Sequence, residues 1–302
     1  MKFSRSIGLG LCIAALSLQA TAQNDLSVQV AKQLSVQQAK TYPLFSLSGN
    51  RSAAIDQDIK NVTYLSLDRT QLSKLTADNE GLLSFSLPLQ NGTEIGFQLM
   101  RYDFRTKDYR TVVKTASGYT TVANPDGDFY RGAISGVQQS MAAFSFYEDE
   151  IGAVFSDETK GNYNLVLNKE NPGTHNENYI LYREDDIVDK SKRGHCGITD
   201  DIAAIGGSTP DAGPSDKGIY ETNCKTVRIS VFADYLLYQR CTSSVVKSVQ
   251  YMNTLFNVIS ALYANDRLFL NLSETIVATV SEGYTYSSSD EVLMRFGNLV
   301  QG

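Results

Sequence analysis

Cys196 lies in a stretch whose residue types could support metal chemistry. It sits between His195 and Gly197, shortly after the basic pair Lys192 and Arg193. Basic neighbours lower the pKa of a thiol and favour the thiolate, which is a strong zinc ligand. Adjacent glycine lets an extended backbone approach a cleft closely. The stretch therefore predicts a cysteine that binds a metal whose other ligands lie outside this segment. The alternative is a loop cysteine in a disulfide.

The sequence lacks the common catalytic motifs. Its only histidines are His175 and His195, so no H-E-x-x-H motif is present, and neither a G-x-S-x-G motif nor a phosphate-binding glycine loop occurs. The net charge of −6, without a basic stripe, argues against a nucleic-acid partner. The residues alone therefore predict no assembled catalytic centre.

Residues 1–22 have the pattern of a secretory signal peptide. Lys2 and Arg5 precede the apolar run Ile7–Leu18, and Ala20–Ala22 matches a cleavage site. Its removal would discard Cys12 and leave a secreted, extracellular protein. No later apolar run approaches about 18 residues, so we expect no membrane span after signal removal.

The elements that must position these residues fall into two parts. From about residue 24 to residue 182 the pattern is mostly β, with alternating runs at Val62–Asp68 and Leu82–Leu89 and a turn signal at Asn91–Thr93. A short helix is predicted at Gln29–Lys40. Regularly recurring turn signals are typical of a sandwich or barrel-like domain. We expect a β-rich first part.

The second part has a different pattern. The charged and glycine-rich stretch Arg183–Gly218 predicts a linker. A strand, a helix capped by Thr242 or Ser243, a second strand and a second helix then follow at Lys225–Asp234, Ser243–Asn265, Arg267–Val280 and Ser287–Val300. This alternation predicts an α/β unit with a parallel strand pair. The fold class expected for the whole chain is α+β, and the α/β unit is too short to be complete.

Four segments together resemble the adamalysin/reprolysin-like metzincin zinc metalloprotease precursors. His195–Thr199 looks like their cysteine-switch motif, and Ser86–Leu99 is similar to a strand-turn-strand segment of their prodomains. Val227–Thr279 looks like the start of their catalytic domain. Tyr130–Phe155 resembles the prodomain signature at Tyr130, Gly132, Gly136, Ser140, Ala142, Ser145 and Gly152. The segments occur in the order that the family has.

The resemblance implies the amino-terminal fragment of a secreted zinc metalloendopeptidase zymogen that acts on proteins or peptides. The implied parts are a signal peptide at 1–22, an inhibitory prodomain at 23–190, a switch segment and linker at 191–218, and a truncated catalytic domain at 219–302. Cys196 would be the inhibitory zinc ligand, and the remaining ligands are expected downstream of residue 302. The prodomain and the catalytic domain would contact each other within one chain.

Two further cysteines, Cys224 and Cys241, bracket the first strand of the α/β unit. A disulfide between them would close a loop of about 17 residues and stabilise the fold by roughly 3 kcal/mol. Each could instead pair with a cysteine outside this sequence. We prefer the local pair, which would leave Cys196 free, as a switch requires.

Two alternatives remain open. Asp234 follows the first strand of the α/β unit and could contribute to a calcium site, or it could be an exposed strand-end carboxylate. For the whole chain, the alternative function is a non-catalytic extracellular β-sandwich protein for binding or adhesion. The absence of catalytic histidines from these residues favours that alternative.

Overall fold

The computed structural model describes residues 26–189, 225–265 and 268–281. It is strand-rich, with a ten-stranded sheet and a four-stranded sheet accompanied by helices. The prediction of a β-rich α+β fold is confirmed. In the described ranges, no helix is both long enough and apolar enough to cross a membrane.

The described ranges contain five helices, a 3-10 turn and fourteen strands. The helices are α1 (Leu26–Leu34), α2 (Ala53–Asp58), α3 (Arg69–Asp78), α4 (Tyr235–Arg240) and α5 (Val245–Asn265), with a 3-10 turn at Glu184–Asp186. The first strands are β1 (Lys40–Thr41), β2 (Phe45–Leu47), β3 (Thr63–Leu67), β4 (Leu82–Pro88), β5 (Glu94–Arg101), β6 (Arg105–Thr115) and β7 (Gly118–Val122). The later strands are β8 (Asp128–Ile134), β9 (Ser140–Phe146), β10 (Ile151–Asp157), β11 (Gly161–Leu167), β12 (Asn178–Arg183), β13 (Lys225–Ala233) and β14 (Leu268–Ala278).

The ten-stranded sheet curls around an aromatic core. Its strand order is β1-β4-β5-β8-β9-β10-β11-β12-β3-β2, and all neighbouring pairs are antiparallel except the parallel β1–β4 pair. Alternate residues of each strand face the inside of the curl, where Phe85, Phe97, Phe144 and Phe155 pack against each other. Strand β9 is buried on both faces because helices cover its outer side.

The four-stranded sheet joins the two predicted parts of the chain. Its order is β13-β14-β6-β7, with β13 and β14 parallel, as predicted. The β6–β7 hairpin comes from the predicted prodomain, and β6 pairs in parallel with β14. The sequence did not indicate this pairing. The predicted boundaries near residues 190 and 218 lie outside the described ranges.

Helix α5 lies between the two sheets. Phe256 packs with Phe104 and Phe129 on the side of the four-stranded sheet. Val258 packs with Met141 on the outer face of the ten-stranded sheet. The helix therefore buries two of its faces, one against each sheet.

Helix boundaries differ from the predictions where turn geometry decides them. Helix α1 is Leu26–Leu34 and not Gln29–Lys40. The predicted caps of α5, Thr242 and Ser243, are wrong, because both have positive φ angles of 57° and 53°. Capping requires an extended φ, and Ser244 supplies the cap by accepting a hydrogen bond of 3.3 Å from the Lys247 N–H.

Candidate functional site

Of the three cysteines beyond the predicted signal peptide, only Cys241 falls within the described ranges. Cys196 and Cys224 lie outside them. Cys241 is half-buried, and within the described ranges it has no disulfide partner. Burial raises the pKa of its thiol. Both the switch role of Cys196 and the Cys224–Cys241 disulfide therefore stay predictions.

The residues of the prodomain-like signature lie on three consecutive strands and on the turn between the first two. Tyr130 and Gly132 are in β8, Gly136 is in the following turn, Ser140 and Ser145 are in β9, and Gly152 is in β10. The structure thus brings together a set of residues that the sequence separates by up to 22 positions.

Some of these residues shape the strands themselves. Gly132 sits so close to β5 that an added Cβ would lie 2.1 Å from the carbonyl oxygen of Gln98. Gly136 has φ of +76°, a left-handed conformation that glycine adopts without steric cost. These two glycines fix the β8–β9 hairpin and its distance from β5.

Two of the signature's polar side chains hold the same hairpin in place. Ser140 Oγ accepts a hydrogen bond of 3.0 Å from Ile134 N–H and donates one of 2.7 Å to the carbonyl of Val137. The buried Tyr130 hydroxyl donates a hydrogen bond of 2.7 Å to the carbonyl of Glu80. These hydrogen bonds give the serine and the tyrosine a structural role, and neither residue needs a catalytic one.

The remaining signature residues contact α5. An added Cβ on Gly152 would lie 2.8 Å from Cγ2 of Thr254, so only glycine lets the helix come this close. Ser145 Oγ accepts a hydrogen bond of 3.2 Å from Nδ2 of Asn257. We call the surface where β8, β9, β10 and the β9–β10 turn meet α5 the α5 contact.

Asn257 is the centre of the α5 contact. Its side chain is fully buried. Besides Ser145, Nδ2 approaches the carbonyl oxygens of Phe144 at 2.9 Å and Tyr130 at 3.4 Å. Burying an amide costs free energy unless it is hydrogen-bonded, so these Nδ2 bonds favour one position of the helix on the strands, whereas Oδ1 of the same side chain is buried without a hydrogen-bond partner among the described residues.

The β9–β10 turn adds a second set of polar bonds. Tyr147 Oη donates to the carbonyl of Gln250 at 2.8 Å and lies 3.1 Å from Thr254 Oγ1. Burial raises the pKa of Tyr147. Lys247 Nζ binds Asp149 at 2.7 Å and Glu150 at 3.0 Å. The amino-terminal half of α5 is therefore fixed by the turn.

Polar contacts also join the opposite side of α5 to the four-stranded sheet. Tyr109 Oη of β6 lies 3.0 Å from Thr275 Oγ1 of β14 and 3.4 Å from Asn253 Oδ1 of α5. Arg228 of β13 pairs with Asp108 of β6 at 2.8 Å, and this hydrogen bond lowers the pKa of Asp108 to about 2. The first part of the chain thus contacts the second on both sides of α5.

The described residues do not form a metal site. Within the described ranges, no group of three His, Cys, Asp or Glu side chains is placed to hold an ion. Asp234 caps α4, since its Oδ1 accepts a hydrogen bond of 2.7 Å from Leu237 N–H. Any zinc would need ligands from elsewhere, and the calcium role of Asp234 stays a prediction.

Sequence reasoning missed the polar residues of α5 that carry the contact. Asn253 and Asn257 are both buried, with Asn257 bonded to strands of the ten-stranded sheet and Asn253 close to Tyr109 of the four-stranded sheet. Two buried asparagines in a helix interrupt its apolar stripe, and this was the available signal. Tyr147 and the β6–β7 hairpin gave no such signal in the sequence.

Comparisons with known proteins include a weak structural similarity. No family model matches the chain, and no curated protein matches it in sequence. Metalloproteinase-II from Bacteroides fragilis has a similar structure, with a TM-score of 0.35 and 11% sequence identity. The similarity covers 78% of this chain, which spans 65% of the length of that protein.

Proposed function

We propose that the chain is the amino-terminal part of a secreted zinc-dependent metalloendopeptidase zymogen. In this proposal the β-rich part is an inhibitory prodomain, and residues 225–281 belong to the start of the protease. Cys196 is the inhibitory zinc ligand, and the other ligands lie in sequence beyond residue 302. The substrates are proteins or peptides, as for other endopeptidases.

One observation carries this proposal: the signature strands β8–β10 pack directly on α5. The two segments were singled out from the sequence for separate reasons, one as a prodomain signature and one as the start of a catalytic domain. In the structure Asn257 and Thr254 of α5 meet Ser145 and Gly152 of the signature. An intramolecular inhibitor needs such a surface, because it must position its inhibitory segment on the protease.

The β6–β7 hairpin supports the same proposal. Strand β6 pairs with the edge of β14 and so extends the sheet of the second part with residues of the first. The predicted switch segment and linker at 191–218 lies between the two parts in sequence and contains Cys196. A segment tethered to both parts can present a thiol to a site on the second part at high effective concentration.

The alternative is a non-catalytic extracellular protein for binding or adhesion. It also accommodates the packing of α5, since a single functional unit would show the same contacts. It predicts that no H-E-x-x-H-x-x-G-x-x-H motif follows residue 302 and that Cys196 is oxidised in a disulfide. Reading the sequence downstream of residue 302 and mapping the disulfides by mass spectrometry separates the two functions.

The direct test is proteolytic activity of the full-length precursor. The Cys196→Ser precursor should cleave a peptide library before any processing, whereas the unmodified precursor should be latent. His195→Asn is the matched control, because it changes the neighbouring residue and leaves the thiol. If the Cys196→Ser precursor stays fully latent, Cys196 is not an inhibitory switch. If the downstream motif is absent, the proposed protease activity is wrong.

A further inference from the structure

A pocket of about 400 Å³ lies at one end of the curled sheet, and we call it the end pocket. Its lining comes from the start of β3, the β4–β5 turn, β11, the end of β12 and the 3-10 turn that follows. The β4–β5 turn is fixed across this end, because Gln90 Nε2 donates a hydrogen bond of 2.9 Å to the carbonyl of Val62. Ligand pockets commonly have volumes of about 300–1,000 Å³ and often occupy the mouths of β-barrels, so the end pocket has room for a small ligand.

One side of the end pocket is apolar. Leu181 and Leu89 line it, the first as part of the buried core and the second packed against that core. Tyr163 also lines it and stacks on Phe155, with ring centroids 5.0 Å apart. Apolar groups gain free energy when they leave water. This side therefore suits the C–H surface of a ligand.

The other side of the end pocket contains a guanidinium group with an unused donor. Arg183 Nε is buried and has no hydrogen-bond partner among the described residues. The carboxylate of Asp185 contacts Nη2 of the same side chain at 3.4 Å and leaves Nε unpaired. A buried N–H without an acceptor costs about 1–3 kcal/mol. An oxygen atom of a ligand in the end pocket would remove that cost.

The remaining polar groups of the end pocket supply both donors and acceptors. Asp186 accepts a hydrogen bond of 3.0 Å from Nδ2 of Asn61, and a carboxylate can accept about four such bonds. Gln90 uses its Nε2 on the backbone and retains Oε1 as an acceptor. Asn91 Oδ1 accepts from the Thr93 N–H at 3.1 Å, which leaves Nδ2 as a donor. Because a hydroxyl group both donates and accepts, a ligand with several hydroxyls can bond to groups of both kinds.

The charges of the end pocket favour a neutral ligand. Arg183 and Asp186 both line it, and the acidic residues Glu184 and Asp185 lie between them in the chain. An acidic ligand would be repelled by Asp186 and an amine by Arg183, since like charges at close range repel. The end pocket therefore selects a neutral hydroxylated molecule over an acid or an amine.

We propose that the end pocket binds a neutral mono- or disaccharide. A sugar carries hydroxyl groups around its ring and C–H groups on the faces of the ring. The C–H surface lies against Leu89, Leu181 and Tyr163. The hydroxyl oxygens accept from Arg183 Nε, and a hydroxyl donates to Asp186. A purely apolar ligand would leave these polar groups without partners, which disfavours it. This proposal does not depend on the protease function.

The test titrates the full chain with glucose, galactose, mannose, lactose and cellobiose, followed by saturation-transfer NMR and calorimetry. At least one of these sugars should bind saturably at a one-to-one ratio. Glucuronate, galacturonate and mannuronate differ from their parent hexoses by a carboxylate and should bind more weakly. If no sugar binds saturably, or if a uronate binds more tightly than its parent hexose, the proposal is overturned.

A free sugar and the terminal unit of a glycan offer the same chemistry to the end pocket. The methyl glycoside of the sugar that binds best distinguishes them, because it blocks the anomeric hydroxyl that a glycan linkage also occupies. Unchanged affinity of the methyl glycoside supports a glycan end as the ligand, and loss of affinity supports a free sugar.

A first variant tests the unused donor. Arg183→Lys keeps the positive charge but removes the Nε donor, and it should weaken the sugar that binds best about five- to tenfold. Arg110→Lys is the matched control, because Arg110 is 62% exposed on β6 and does not line the end pocket. Equal affinities of the two variants would show that the sugar binds elsewhere and would overturn the assignment of the end pocket.

A second variant tests the charge of the ligand. Asp186→Asn keeps an acceptor oxygen but removes the negative charge, so uronate binding should improve about two- to fivefold while the neutral parent changes less than about twofold. Glu158→Gln is the control, because Glu158 is exposed and does not line the end pocket. If Asp186→Asn improves uronate binding no more than Glu158→Gln does, Asp186 does not face the ligand and the proposed selection of a neutral sugar is wrong.

Discussion

The interior of the curled sheet and the α5 contact are both buried, but different forces hold them. Inside the curl, phenylalanine rings pack edge to face, as Phe144 does with Phe85 and Phe97. At the α5 contact, Asn257 and Ser145 are buried side chains that bond to each other. Apolar packing is non-directional, whereas hydrogen bonds require one relative position.

This difference bears on which surfaces can separate. The hydrogen-bonded polar groups of a contact can be exposed to water at modest cost, because water replaces the lost hydrogen bonds, and Asn257 Oδ1, which has no partner among the described residues, would gain one. Interfaces between domains are accordingly more polar than domain cores. The α5 contact has the composition of such an interface, and the interior of the curl does not.

The largest expected effect is in the interior of the curl. Phe144→Ala removes a fully buried ring and should lower the free energy of unfolding by about 3–5 kcal/mol. Urea denaturation followed by tyrosine fluorescence measures the change. Tyr119→Ala is the control, because Tyr119 is 60% exposed on β7 and should change stability little. Equal loss in both variants would contradict the distinction between the core and the surface.

At the α5 contact the expected effect is smaller and more local. Asn257→Ala leaves the carbonyl of Phe144 and Ser145 Oγ without their amide donor and should cost about 1–3 kcal/mol. Hydrogen exchange should increase in α5 and remain unchanged in β4 and β5. Leu262→Ala is the matched control on the exposed face of the same helix. A uniform increase in exchange over both regions would show that the contact is part of one cooperative core.

Close approach at the same contact can be tested with a pair of variants. Gly152→Ala places a Cβ 2.8 Å from Cγ2 of Thr254 and should destabilise the chain by about 1–3 kcal/mol. Thr254→Ser removes Cγ2 and keeps the hydroxyl that contacts Tyr147. The double variant should therefore recover most of the loss in a double-mutant cycle. Additive effects would show that Gly152 acts on something other than Thr254.

The sequence predicts strands and helices well where the apolar period is clear. Strand β4 alternates from Leu82 to Leu87, and α5 repeats apolar residues at steps of three and four, so both were predicted within two residues. The pairing of β6 with β14 could not be predicted in this way. Period-2 patterning shows which face of a strand is buried, but not which distant strand lies beside its edge.

At the candidate site, too, the sequence indicates individual residues but not their distant partners. Gly152 and Ser145 were singled out from the sequence, but their partners on α5 become evident only when the helix lies across β9 and β10. Local patterns could not supply that crossing, because it depends on how two sheets pack around one helix. The role of Cys196 depends on residues outside the described ranges and stays a prediction.

The smallest expected effect concerns the four-stranded sheet and is a pH dependence. The hydrogen bond from Arg228 lowers the pKa of Asp108 to about 2, below the value near 3.9 of an unfolded chain. A group with a lowered folded-state pKa stabilises the fold above its unfolded pKa, and this stabilisation is lost as the pH falls through the folded value. Asp108→Asn should therefore lower stability slightly at neutral pH and flatten its decline between about pH 4 and pH 2.

Because Asp108 and Arg228 are both largely exposed, added salt should reduce the effect. Thermal melts at low and high salt, with Asp126→Asn as the control carboxylate, measure it. The pair connects β6 of the first part with β13 of the second, so its contribution belongs to the association of the two parts. If Asp108→Asn changes the pH dependence no more than Asp126→Asn does, that association rests on backbone pairing and on the α5 contact alone.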